Sequence, residues 1–219
     1  MLTLHKYNIP LLLLLLGGCT SMPSIPVSDQ SHKDWAQYQL QAGRVQQWYI
    51  HARAVIFVAD EVHNVGLKWR HNPDEFTITL EAPFGQGVFR LESMPGKALV
   101  KLRLPDGNLV YGEDAEAILD QTLGWSIPVS ELEFWIKGLP SKSGAFTQVL
   151  NGDGRLRSLQ QKDWSITYLD YFEFDHSAQG LPKKLYLKHD KLALKIVIDN
   201  WQKPQIDADR DSELFPAFN

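Results

Sequence analysis

The chain has 219 residues, with 22 Lys and Arg against 26 Asp and Glu, a formal net charge of −4 and an isoelectric point near 6.0. An acidic chain without a run of basic residues excludes nucleic acid as an expected partner. The 201 residues that follow position 18 are enough for one sizeable core and few for two domains. We therefore expect a single folded domain.

The N-terminus carries an apolar run, residues 9–16, that ends at two glycines and Cys19, the only cysteine in the chain. The run is too short to cross a bilayer as a helix, which takes about 20 apolar residues. It has the length of the apolar part of an export signal, and Lys6 supplies the positive charge that precedes such a part. The letters LGGC resemble a lipobox, the bacterial lipoprotein signal whose cysteine becomes the lipid-modified N-terminus. An ordinary secretory signal with an incidental cysteine is the alternative.

A lone cysteine in an exported chain has no intramolecular disulfide partner, and lipidation accounts for it. We predict a signal peptide over residues 1–18 and lipidation of Cys19. In lipoproteins of this kind an Asp directly after the cysteine retains the protein in the inner membrane. Thr20 and Ser21 stand here instead, so the resemblance implies the outer membrane. Each buried methylene of the acyl chains contributes about 0.8 kcal/mol, so two or more chains hold a protein firmly at a membrane. We therefore expect a lipid-anchored protein on the periplasmic face, with no membrane span.

Two further segments lack a hydrophobic period. Residues 19–30 are rich in Ser and Pro and predict a flexible tether. Residues 204–219 are acidic and predict a disordered tail. Residues 31–203 are the expected folded domain.

The first predicted element of this domain is a helix over residues 31–46, where Ser31 and Asp34 resemble a capping box ahead of apolar residues at helical spacing. Strands are predicted next, because β-branched and aromatic residues alternate with polar ones. These strands are 48–59, 62–71, 75–81, 88–93 and a segment that holds Val100, Leu102 and Leu104.

The middle of the chain changes period. Residues 113–123 have acidic residues in the first turn and predict a helix that ends at Gly124. A second helix is predicted over 129–137, and strands resume afterwards. These later strands are 155–161, 163–172, 183–189 and 191–201. Their short connections predict hairpins and therefore an antiparallel sheet.

Strands that alternate cleanly bury one face, and that face needs a cover. About ten strands in one sheet will curl, and the two central helices, with Trp125 and Trp135, can fill the concave side. We predict a mainly β fold with α, in which a single strongly curved antiparallel sheet wraps around helices. Periodicity leaves open whether the interior is a solid core or a cavity.

Motifs of enzymes and metal sites are missing from the sequence, which has no HExxH, GxSxG, P-loop or CxxC. We expect no enzymatic activity, no cofactor and no metal. The turn at Pro83, Phe84 and Gly85 is unusual, because Asn, Asp or Ser normally occupies such a place. Either Phe84 folds back into the core, or it is an apolar tip for a membrane or partner.

An ordered set of motifs resembles the LolB family of outer-membrane lipoproteins. The set comprises the lipobox, Trp69, FTITLEAPFGQGVFRLES at 76–93, GEDAEAIL at 112–119, IPVSELEFWIKGLP at 127–140 and IDNW at 198–201. It runs from about residue 31 to 203. The resemblance implies a half-barrel of about 10 to 11 antiparallel strands closed by about three helices over an apolar cavity, a fold shared with the periplasmic carrier LolA.

The resemblance also implies a function. Such proteins take a triacylated lipoprotein from LolA and insert it into the outer membrane without nucleotide. An exposed apolar residue in a strand-connecting loop, commonly Leu, is thought to help insertion. Phe84 matches that position here, so the resemblance implies a membrane insertion loop at Pro83, Phe84 and Gly85. We expect a monomer bound to the outer membrane through Cys19.

Strand parity and the central helices supply candidates for contact with the acyl chains. They are Trp69, Phe76, Ile78, Leu80, Phe89, Leu91, Val100, Leu102, Trp135, Ile196 and Ile198. For each of them ordinary core packing is the alternative, since a cavity and a core use the same residue types. The alternative function is a structural lipoprotein that scaffolds an envelope complex through its sheet edge or acidic tail.

Overall fold

The computed structural model describes residues 29–83, 87–174, 180–190 and 192–202. The predicted signal peptide, nearly all of the tether with Cys19, and the acidic tail lie outside the described residues. Phe84 and Gly85 of the predicted insertion loop also lie outside them. None of the helices in the described ranges is long and apolar enough to span a membrane.

The described residues form three helices and eleven strands. The helices are α1 (Asp29–Gly43), α2 (Ala115–Leu123) and α3 (Val129–Trp135). The strands are β1 (Trp48–Val58), β2 (Glu61–His71), β3 (Phe76–Glu81), β4 (Val88–Ser93), β5 (Val100–Arg103), β6 (Leu109–Gly112), β7 (Phe146–Leu150), β8 (Leu156–Gln161), β9 (Trp164–Tyr171), β10 (Pro182–His189) and β11 (Leu192–Gln202).

All of these strands belong to one antiparallel sheet in the order β6-β5-β4-β3-β2-β1-β11-β10-β9-β8-β7. Each strand pairs with its neighbours along the chain, except that β1 pairs with β11 at the centre. The two edges, β6 and β7, are connected through α2 and α3. The chain therefore crosses from one edge of the sheet to the other by way of the two helices that cover its inner face.

The inner face of the sheet follows from strict alternation. In β1, Ile50, Ala54 and Ile56 are buried while Arg53 is exposed. Three indoles close the core beside α1, with ring centroids 4.8 Å apart for Trp48 and Trp69 and 5.5 Å apart for Trp48 and Trp201. The prediction of one open antiparallel sheet with three helices is confirmed.

Three local predictions are wrong. The first helix runs from Asp29 to Gly43 and not over 31–46, so Ser31, the predicted cap, lies inside α1, where it is buried. The third helix ends at Trp135, two residues early, because the chain turns at Gly138, whose φ is +73°. The edge strands β6 and β7 have no counterpart among the predicted strands, since half or more of their side chains are exposed and show no apolar period.

Candidate functional site

An apolar cavity lies between the concave face of the sheet and the α2–α3 segment. The strands contribute Ala54, Ile56, Leu67, Trp69, Ile78, Leu80, Phe89, Leu91, Leu102, Leu194 and Ile196. The covering segment contributes Leu119, Leu123, Trp125, Ile127, Val129 and Leu132. All of these side chains are aliphatic or aromatic, so the cavity offers a ligand apolar contacts and almost no hydrogen-bonding groups.

Seven of the eleven predicted contact residues meet at this cavity, namely Trp69, Ile78, Leu80, Phe89, Leu91, Leu102 and Ile196. The other four do not line it. Val100, Trp135 and Ile198 are buried in the core, and Phe76 packs against the core half-buried. Strand parity therefore predicted the correct face of the sheet but not how far the cavity extends along it.

Ten further residues line the cavity and lie outside the predicted set. Two of them had an available signal, because Leu67 and Leu194 each stand two residues before a predicted contact on the same strand. Ala54 and Ile56 alternate with exposed or half-buried residues along β1, so these two residues also lie on the inner face. In the covering segment Trp125 was expected on the concave side of the sheet, but the other five lining residues had no such signal, since only the tertiary structure shows which side of a short helix meets the sheet.

The cavity is contracted in this structure. Its free volume is about 60 Å³, whereas sites for small molecules are typically about 300 to 1,000 Å³. The interior is therefore neither a fully solid core nor a large cavity. The interior is a packed core with a small void between the sheet and α2.

One residue that lines this void has a buried polar atom without a partner. The indole N–H of Trp69 is buried and has no acceptor among the described residues. An unpaired buried donor costs about 1 to 3 kcal/mol. Trp69 thus lines the cavity while its N–H, like that of the neighbouring Trp48, is buried and unpaired among the described residues.

Hydrogen bonds and ion pairs fix α3 to the sheet. Trp135 Nε1 donates to Gln161 Oε1 over 2.9 Å, and Tyr168 Oη donates to the carbonyl of Trp135 over 2.9 Å. On one side Lys162 pairs with Glu131, and on the other His71 Nε2 lies 3.2 Å from Glu133 Oε1. The helix is therefore held from β2 on one flank and from β8 and β9 on the other.

The charged groups beside α3 shift one another's pKa values. Burial alone would raise the pKa of Glu133, but the hydrogen bond from His71 and the charges of His71, Lys137 and Lys142 outweigh it and lower that pKa. Burial lowers the pKa of Lys137, and the attraction of Glu133 opposes this shift only in part. Lys137 Nζ also donates to the carbonyl of Val45 over 3.3 Å. This cluster holds α3 next to the chain that links α1 to β1.

By contrast, the polar contacts of α2 stay within the covering segment. Asp114 caps the helix by accepting from the N–H of Glu116 over 2.8 Å. Gly124 ends it at a φ of +69°, with its N–H donating to the carbonyl of Asp120 over 2.8 Å. Ser130 Oγ donates to the carboxylate of Glu116 over 3.0 Å. Apolar contacts, such as those of Leu119, are what hold α2 on the sheet.

The predicted insertion loop is described only at its first residue. Pro83 is exposed at the end of β3, on the outer side of the sheet, where it borders a groove that also contains Gly66 and Lys195. Its position places the start of the loop at the surface, away from the cavity lining. The orientation of Phe84 lies outside the described residues.

An apolar cavity under helices on an open antiparallel sheet defines a class of half-barrel proteins, and solved structures share that fold. A LolA superfamily protein from Nitrosomonas europaea aligns with a TM-score of 0.51 at 6% identity over 79% of this chain and 94% of that chain. A DUF1329 family protein from Desulfovibrio piger aligns with a TM-score of 0.52 at 9% identity over 85% of this chain and 96% of that chain. The chain thus shares the fold of these two proteins.

Sequence comparison gives the family within this class. The sequence model described as "Outer membrane lipoprotein LolB" matches residues 46–201. The outer-membrane lipoprotein LolB of Nitrosococcus oceani is 36% identical over 191 residues, which cover 87% of this chain and 93% of the relative. That of Pseudomonas putida is 32% identical over 198 residues, 89% of this chain and 94% of the relative. The chain belongs to the LolB family of outer-membrane lipoproteins.

Proposed function

We propose that this chain accepts triacylated lipoproteins from the periplasmic carrier LolA and inserts them into the outer membrane. The apolar cavity under α2 carries the proposal, because it offers acyl chains a site shielded from water. Membership of the LolB family supports the outer-membrane location. In this scheme the acylated Cys19 anchors a monomer, and neither nucleotide nor an enzymatic step is used.

The free energy of acyl-chain hydration explains why a receptor is needed. One chain of about 15 methylenes costs roughly 12 kcal/mol to expose to water at about 0.8 kcal/mol per methylene. A triacylated cargo carries three such chains, so free diffusion through the periplasm is excluded. Direct passage between two apolar cavities avoids this exposure. It runs downhill when the acceptor binds more tightly, with about 1.4 kcal/mol for each factor of ten in affinity.

The cavity must enlarge before an acyl chain can enter. A free volume of about 60 Å³ is several times smaller than the roughly 300 to 1,000 Å³ of sites that hold small molecules. Because α3 is tied to the sheet through Gln161 and His71 while the polar contacts of α2 are internal to the covering segment, α2 is the part that moves. Its displacement uncovers the strand residues that line the void.

Transfer of cargo tests the proposal. The mature lipidated protein, reconstituted in vesicles, is mixed with LolA loaded with a fluorescently labelled triacylated lipoprotein, and the label that reaches the vesicles is measured. We expect transfer with the native chain and with Ala52→Leu, which enlarges a buried side chain of β1 outside the cavity lining. Ala54→Leu fills the cavity and should block transfer. Retention of the label on a carrier that is competent with another acceptor would overturn the proposal and favour a scaffold role.

A substitution in the insertion loop tests the delivery step separately. We propose that Phe84 enters the membrane during delivery, so that Phe84→Glu captures cargo from LolA but fails to release it into vesicles. The matched control is Phe84→Leu, which keeps an apolar tip and should deliver normally. An equal loss of capture and thermal stability in Phe84→Glu would instead place Phe84 in the core.

A further inference from the structure

The convex face of the sheet carries apolar side chains where a solvated face is normally polar. Val55 and Phe57 of β1 alternate with the inward-facing Ala54 and Ile56, so they lie on the outer face, and both are half-buried. Val62, at the beginning of β2, is 56% exposed. The outer face at the centre of the sheet is therefore more apolar than a face that contacts only solvent normally is.

Lysines surround this apolar surface. The register pairs Val55 with Lys195 of β11, and Lys195 with Tyr186 of β10. Lys184 and Lys188 flank Tyr186 on the same face of β10. Among the described residues, no acidic side chain lies within ion-pair distance of these three lysines, whereas the adjacent Lys183 pairs with Asp170. We define the convex patch as Val55, Lys184, Tyr186, Lys188 and Lys195; the neighbouring Arg53 is paired with Asp199 at 2.9 Å.

A groove of about 390 Å³ adjoins the convex patch. Gly66 forms part of its lining and leaves room because it has no side chain, while Arg53 and Lys195 stand on its border. Pro83, the first residue of the proposed insertion loop, borders the same groove. The groove, whose lining also includes Glu81, therefore connects the convex patch to Pro83.

The segment that covers the inner face of the sheet is acidic, although Glu131 is buried and pairs with Lys162, and Glu133 Oε1 lies 3.2 Å from His71 Nε2. Between Arg103 and Lys137 the chain contains seven Asp and Glu and no Lys or Arg, and this stretch includes α2 and α3. An anionic surface would attract the convex patch and repel the covering helices. Such a surface would thus orient the molecule with α2 directed away from it.

We propose that the convex patch binds the headgroups of anionic phospholipids in the leaflet that holds the lipid anchor. The lysines contact the phosphodiesters, and Tyr186 and Val55 lie at the boundary between headgroups and acyl chains. The inference rests on the proposed receptor function, which places the chain at a membrane. It adds an orientation, with the sheet lying on the bilayer and the cavity cover open to a carrier in the periplasm.

Fluorescence from one labelled cysteine tests this orientation. Because acylation occupies Cys19, the only native cysteine, Thr167→Cys next to Tyr186 on the outer face gives a unique thiol for an environment-sensitive dye. The lipidated protein is reconstituted in vesicles of phosphatidylcholine, alone or mixed with phosphatidylglycerol. We expect a blue shift only with phosphatidylglycerol, reversed by high salt because exposed charges are then screened. A label at Gln37→Cys on α1 should not shift.

Charge variants make the test specific. Each lysine near an anionic membrane is worth about fivefold in binding, so replacing Lys184, Lys188 and Lys195 by Gln should lower the ratio of docked to free molecules about a hundredfold. The control replaces Lys33, Lys97 and Lys142 by Gln, which removes the same charge elsewhere, and should change the ratio less than about fivefold.

Three results would overturn the proposal. They are an equal shift on phosphatidylcholine alone, a shift that survives the three Gln replacements in the convex patch, and a shift that appears only when a protein carrier is added. The last result would assign the patch to an acidic protein partner. Cargo transfer on the same vesicles separates the two proposals, since normal transfer without a lipid-dependent shift removes the orientation alone, and a failure of transfer removes the receptor function.

Discussion

Gly154 shows how one residue without a side chain lets α1 pack on the sheet. It lies in the β7–β8 connection at a φ of +68°, and a Cβ there would lie 2.4 Å from Asp34 Cβ and 2.8 Å from the carbonyl oxygen of Ser31. We expect Gly154→Ala to lower the free energy of unfolding by about 2 to 4 kcal/mol, because the left-handed backbone and the contact with α1 both oppose it. Urea denaturation measures the change.

The matched control for this substitution lies two residues away. A Cβ at Gly152 would meet no atom within 4 Å, and that glycine has no positive φ. Gly152→Ala should therefore change the unfolding free energy by less than about 1 kcal/mol. Equal effects of the two substitutions would show that the packing of α1 against this turn is not what makes Gly154 necessary.

Gln161 is a buried amide whose hydrogen bonds join α3 to the sheet. Its Oε1 accepts from Trp135 Nε1 and from the N–H of Ser141, and its Nε2 donates to the carbonyls of Ser141 and Ser143 at 3.0 Å each. Gln161→Ala leaves these groups unpaired and should cost about 2 to 4 kcal/mol of unfolding free energy. Chemical denaturation of this variant beside the exposed Gln160→Ala, which should cost less than about 1 kcal/mol, is the measurement. A similar cost for both would contradict the role of Gln161.

At the scale of elements, alternation in the sequence was sufficient wherever a strand has one buried face. β1, β2 and β11 are long, alternate over most of their length and have partners on both sides, and their bounds were predicted to within one residue. The edge strand β6 is different because Leu109 and Tyr111 on its outer face are 42% and 53% exposed. β6 is defined as a strand only by its pairing with β5, and a single sequence does not show which segments pair.

The contrast between α2 and α3 leads to a prediction about local opening. Each hydrogen bond between α3 and the sheet contributes about 1 kcal/mol, whereas α2 meets the sheet through apolar contacts and is joined to α3 by the hydrogen bond between Glu116 and Ser130. Amide hydrogen exchange near Leu119 of α2 should therefore be about two orders of magnitude faster than near Leu132 of α3. Mass spectrometry of exchanged peptides measures both. In Gln161→Ala, exchange in α3 should rise while exchange in α2 stays unchanged, and equal protection of the native helices would contradict α2 as the moving part.

At the scale of the whole molecule, the sequence predicted the sheet and its cover but could not predict the void between them. Leu80 and Ile196 line the void while Ile198, on the same face of β11 as Ile196, is in the solid core, although all are aliphatic side chains at equivalent parity. The difference arises from how far α2 reaches over the sheet. Empty volume is a property of the assembled fold, and no residue type encodes it.

A ligand that enters this void should stabilise the whole molecule, because binding to the folded state alone raises the free energy of unfolding. With a long-chain fatty acid at about 100 times its Kd, we expect a gain of about 2.7 kcal/mol, measured as a rise in the urea midpoint. Ala52→Leu should show the same gain, while Ala54→Leu, whose new side chain fills the void, should show almost none. An equal gain in both variants would mean that the fatty acid binds elsewhere on the surface, and the cavity of about 60 Å³ would then be a packing defect of the core.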